Sequence, residues 1–83
     1  NTQKLIQQKL PKIYSKDLVE TLFLHPYTKI EFLVYRLNVT RKTASKYLKE
    51  LATIGILKEI KKGRNRYFIN IELFKYLKKA INE

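Results

Sequence analysis

Apolar residues recur along this chain at helical spacing in several blocks and at strand spacing near its C-terminal third, and the order of those blocks is informative. The clearest block lies between Thr40 and Ile54. Ala44, Tyr47, Leu48 and Leu51 stand at i, i+3, i+4, i+7, the signature of a buried helix face. Lys42, Ser45, Lys46 and Lys49 repeat that spacing two residues out of phase. Two residues are about 200° of helical rotation, so the second stripe points away from the core. Thr40 stands where an N-cap is needed, Ile54 closes the segment and Gly55 supplies the stop.

The blocks on either side complete an order of elements. Residues 2–9 predict a short helix ending near Pro11, since proline disfavours helical geometry in the residue before it. Ser15 is placed to cap a second helix with Asp17 in its first turn and Leu18, Val19, Leu22 and Phe23 inward; His25 and Pro26 end it. Thr28 and Glu31 form a T-x-x-E pattern, read as a capping box opening a third helix with Ile30, Leu33, Val34 and Leu37 inward. Asn38 then falls in a tight bend, where its tolerance of left-handed backbone is useful. Residues 56–61 and 66–70 read as an antiparallel pair around Lys62, Gly63, Arg64 and Asn65. Residues 71–81 predict a closing helix with Phe74, Leu77 and Ile81 inward. The fold class expected is mainly α with a small antiparallel β-hairpin, a winged helix-turn-helix. Residues 1–14 are read as a helix or linker from an upstream domain and residues 15–83 as the winged-helix domain.

Charge sharpens this reading. The 83 residues carry 18 Lys+Arg against 7 Asp+Glu, a formal net charge of +11, which favours polyanionic partners. Between Val39 and Arg66 the basic residues are Arg41, Lys42, Lys46, Lys49, Lys58, Lys61, Lys62, Arg64 and Arg66, and the acids are Glu50 and Glu59. Most of the excess is therefore concentrated in one helix and the wing. A lysine face on a helix that follows a short turn suits the major groove, which admits one helix between its phosphates. The plainer meaning of such a run is a solvated surface, and Lys49 alone carries no more than that. At the wing, Lys61, Lys62, Arg64 and Arg66 flank Gly63 and suit phosphate contact, although Gly, Asn and Lys also suit any exposed hairpin loop.

Several function classes are disfavoured. No cysteine is present, so disulfides, a thiol nucleophile and cysteine-based zinc sites are excluded. One histidine leaves little for a metal, and no cofactor is expected. No stretch approaches the roughly 20 apolar residues of a membrane span, and the N-terminus resembles no signal peptide. A cytoplasmic protein without membrane association is expected. The chain starts at Asn1 with a helix already under way, which suggests a fragment of something longer. His25 beside Pro26 lacks a specified partner for general-base work, and Ser15, Thr28, Thr40 and Ser45 are better explained as caps and surface donors than as nucleophiles. Tyr27, Tyr35, Tyr67 and Tyr76 suit either base stacking or the edge of a core.

The stretches PYTKIEFLV and RKTASKYLKEL, with LPKIYSKDLVETLF before them, closely resemble the C-terminal winged-helix domain of many bacterial Fic-family proteins. The resemblance runs over residues 10–77. It implies a Fic domain upstream that transfers AMP from ATP to hydroxyl side chains of target proteins. The catalytic pattern of that family, His-Pro-Phe followed by Gly-Asn-Gly-Arg, is absent here, and His25-Pro26 shares two letters with it by coincidence. This chain is thus not expected to be an enzyme itself. Asn38 departs from the glycine that the resemblance implies for many relatives in the turn.

Two function classes follow. In the first, the chain is a module for double-stranded DNA: Thr40 and Thr43 meet phosphate or base edges, Arg41, Lys42, Ser45, Lys46 and Lys49 face the groove, and Lys62, Arg64 and Arg66 clamp the backbone. In the second, it is an interaction module that forms a homodimer or contacts and regulates the upstream Fic domain. RNA and membrane surfaces are minor alternatives. The concentration of charge favours the first class, and an exposed apolar patch around Phe32 and Tyr35 would favour the second.

Overall fold

The computed structural model describes the backbone of residues 2–82 and the side chains of residues 2–80. In chain order the elements are α1 (Thr2–Lys9), α2 (Lys16–Leu24), β1 (Tyr27–Thr28), α3 (Ile30–Leu37), α4 (Arg41–Thr53), β2 (Leu57–Lys62), β3 (Asn65–Asn70) and α5 (Ile71–Asn82). The strands form one antiparallel sheet in the order β1-β3-β2. Helices α3 and α4 with the sheet behind them make a winged helix-turn-helix.

A single core joins these elements. It is built from Ile6 of α1, Leu18 and Leu22 of α2, Leu33 of α3, Ala44, Leu48 and Leu51 of α4, and Ile56, Leu57 and Phe68 of the sheet region. Each large side chain buried there contributes about 1.5–3 kcal/mol. Helix α1 shares this core with the rest, because Ile6 is fully buried and the Thr2 hydroxyl donates to the Glu72 carboxylate of α5.

Local chemistry accounts for the helix ends. The Ser15 hydroxyl accepts from the Leu18 amide at 3.0 Å, and the Thr40 hydroxyl accepts from the Thr43 amide at 3.1 Å. Asn38 sits in the left-handed region at φ 54°, ψ 48°, which bends the chain sharply between α3 and α4. Helix α4 stops at Gly55, whose φ of +88° lets the Ile56 amide return to the Leu51 carbonyl at 3.0 Å and its own amide to Ala52 at 3.1 Å. This double return satisfies carbonyls that a helix end leaves open.

Four expectations are corrected. The capping box does not form: Thr28 lies in β1 opposite Phe68, the N-cap of α3 is Lys29 without a side-chain bond, and Glu31 pairs with Arg41 instead. Pairing of residues 27–28 with β3 draws Thr28 into the sheet and removes it from the helix end. The sheet therefore has three strands where a two-stranded hairpin was expected. On α2 the third buried position is Thr21 and not Phe23, because the Thr21 hydroxyl donates to the Asp17 carbonyl at 2.7 Å and needs no solvent. On α5, Phe74 and Leu77 are 49% and 37% exposed. The helix is tied down at its first turn, where the Ile71 amide meets the Ile56 carbonyl and Asn70 caps Leu73. The Ile81 side chain lies outside the described residues.

Candidate nucleic-acid interface

Helix α4 turns its apolar stripe into the core and leaves the opposite stripe open. Ala44, Leu48 and Leu51 are fully buried and Tyr47 half-buried, whereas Lys42, Lys46 and Lys49 are exposed, with Ser45 half-buried among them. With Thr43, Glu50 and Thr53 these residues line a shallow concavity along the helix. Thr40 and Thr43 are engaged with one another at 3.0 Å between hydroxyls, beyond the capping bond, so they hold the helix end before they meet anything else.

The wing reaches the same end of α4. Strands β2 and β3 pair through Lys62↔Asn65, leaving Gly63 and Arg64 as the two-residue tip. Gly63 has φ +62° at the first loop position, the place where tight hairpin turns of this length take glycine. Inward and outward positions alternate along each strand, so Leu57, Glu59 and Lys61 share one face with Arg66, Phe68 and Asn70. That face is core at its base and charged where it leaves the core.

Where it leaves the core, a cleft of about 200 Å³ separates the wing from the N-terminal ends of α3 and α4. Lys29, Glu31, Arg41, Lys61, Arg64 and Arg66 line it. Arg41 Nη2 lies 3.2 Å from Glu31 Oε1, and Arg66 Nε lies 2.9 Å from Glu59 Oε2. Such exposed pairs are worth about 0.2–1 kcal/mol, so they orient the two guanidinium groups without locking them. Lys62 and Arg64 are exposed and make no ion pair among the described residues. The predicted set thus divides: Lys42, Lys46, Lys49, Lys62 and Arg64 are exposed, Arg41 and Arg66 are held by carboxylates, Thr40 and Thr43 cap the helix, and Ser45 is half-buried on the lysine face.

Lys29 and Glu31 complete the cleft and were not placed there by the sequence pattern, which puts Lys61 at the wing. Lys29 Nζ stands 4.7 Å from the centre of the Tyr67 ring, which fixes the ammonium beside the wing. The available signal was the alternation Lys29, Ile30, Glu31, which a capping-box reading absorbs.

A second surface lies on the other side of α3. Leu24, His25, Phe32 and Tyr35 line an apolar concavity with Thr21, Glu31 and Arg36, and Tyr35 is 88% exposed. His25, Tyr27 and Phe32 form a ring cluster with centroids 6.2–6.3 Å apart, and Tyr67 meets Tyr27 edge-on at 5.9 Å. The histidine therefore belongs to an aromatic cluster. Among the described residues no helix is long and apolar enough to cross a membrane. A model of a known protein family, described as protein adenylyltransferase SoFic-like, C-terminal domain, matches residues 1–73.

Proposed function

Given that the chain belongs to the family of SoFic-like protein adenylyltransferase C-terminal domains, and is not the catalytic domain, we propose that it is a DNA-binding winged-helix module accessory to a Fic-type, AMP-transferring protein. The observation that carries this reading is the exposure of Lys42, Lys46 and Lys49 on one side of α4 together with a cationic wing at the same helix's N-terminal end. Helix α4 enters the major groove with Lys42, Ser45 and Lys46 toward the base edges. Arg64 and Lys62 meet the adjoining phosphates, and Arg41 and Arg66 exchange their carboxylates for phosphate.

Charge reversal tests it. The double substitution Lys42→Glu with Lys46→Glu is expected to remove binding to a labelled duplex in fluorescence anisotropy. Its unfolding free energy stays within about 0.5 kcal/mol of the parent, because both side chains are at the surface. Equal binding by parent and variant would reject the assigned face.

The interaction reading has one observation in its favour, the apolar concavity around Leu24, Phe32 and Tyr35. An exposed apolar surface of that kind marks contact with protein. In that reading the module positions or regulates the upstream Fic domain or forms a homodimer. Tyr35→Ser would then alter assembly in sedimentation while leaving duplex binding untouched.

A further inference from the structure

We propose that the cleft between the wing and the N-terminal ends of α3 and α4 is a seat for a single phosphate group, with Lys29 as its third wall and Glu31 as the carboxylate that limits its affinity. The cleft's volume of about 200 Å³, below the ~300 Å³ at which small-molecule sites begin, is of a size for one compact group. Its walls come from three separate parts of the chain. Lys29 closes the α3 side, Arg41 the α4 side, and Lys61, Arg64 and Arg66 the wing.

Two features fit an oxyanion. Lys29 is held over the Tyr67 ring and makes no ion pair among the described residues, so its ammonium keeps donors for an incoming oxygen. No side chain caps α3 at Lys29, and the positive end of that helix adds to the field of the cleft. Glu31 opposes them. Its carboxylate lines the cleft and holds Arg41 at 3.2 Å, so full use of Arg41 by a phosphate requires it to turn from one anion to the other. The carboxylate is a built-in competitor. It keeps the seat from filling with any passing anion and makes its occupancy depend on the neighbouring contacts of a larger ligand. The carrier of the phosphate, a DNA duplex, rests on the reading above; the seat rests on the cleft.

The test is a titration of the isotopically labelled 83-residue chain with inorganic phosphate, followed by NMR. Saturable shifts are expected at residues 29–31, 41 and 61–66 and not along the outer face of α4. Glu31→Gln should tighten the seat about fivefold and Lys29→Gln weaken it by a similar factor, the size of one exposed charge–charge contact. Glu20→Gln, which makes the same change of net charge at an exposed position outside the cleft, should leave it unchanged. Shifts spread over every lysine-bearing surface, or a Glu31→Gln response no different from Glu20→Gln, would overturn the proposal. A duplex arm separates the two claims. Duplex binding that ignores both cleft substitutions rejects the seat and keeps the duplex, whereas cleft shifts with phosphate but no duplex binding keep the seat and reject the duplex.

Discussion

Two asparagines, thirty-two residues apart, hold positions that no other side chain fills as well. Asn38 takes φ 54° in the turn, and the cost of left-handed backbone for an ordinary L-residue is about 1–2 kcal/mol. Asn38→Ala is therefore expected to lower stability by about 1 kcal/mol in urea unfolding, while Asn38→Gly is neutral or stabilising. That role was legible from residue type and position between two periodic segments. Asn70 was not. It is fully buried at the end of β3, where its amide nitrogen donates to the Leu22 carbonyl at 2.8 Å and its oxygen accepts from the Leu73 amide at 3.1 Å. It ties α2, β3 and α5 together across 48 residues of sequence, and nothing local announces such a partner. Asn70→Leu leaves a buried carbonyl and a helix-end amide unpaired, so a loss of about 2–3 kcal/mol is expected by the same measurement.

Among the elements, α4 with its long double pattern was read correctly on both faces, whereas features set by neighbouring elements were not. Helix α4 has thirteen residues and two stripes in antiphase, so both its inner and outer faces follow from sequence. Strand β1 has two residues and no period to detect; it exists because β3 offers an edge to pair with. The T-x-x-E pattern failed for the same reason, since sheet pairing competed with helix capping for Thr28. Helix α5 shows a further limit. Its amphipathic pattern is plain, yet a pattern does not say whether a partner face lies beneath it, and Phe74 and Leu77 face solvent. Replacing both with Ser should change stability by less than about 1 kcal/mol, against about 3–5 kcal/mol for Phe68→Ala in the core. A large loss from the α5 pair would show that these side chains are packed.

At the scale of the whole molecule, the decisive property is how +11 of charge is distributed over a small fold. The concentration of basic residues in α4 and the wing was legible. The meeting of Arg41 with the wing at one cleft was not, because it depends on the turn at Asn38 and on the hairpin tip at Gly63 bringing residues 29–31, 41, 61 and 64–66 together. In the proposed reading this face binds duplex DNA by displacing condensed counterions, so the salt dependence of affinity would count the phosphates neutralised. The measurement that bears most directly on the proposed function is thus the slope of log K against log salt concentration for a labelled duplex and the 83-residue chain. With Arg41, Lys62, Arg64 and Arg66 each neutralising one phosphate at ~0.9 per contact, the slope is expected to be about −3 to −4. A slope near zero, or no binding at low salt, would contradict the account.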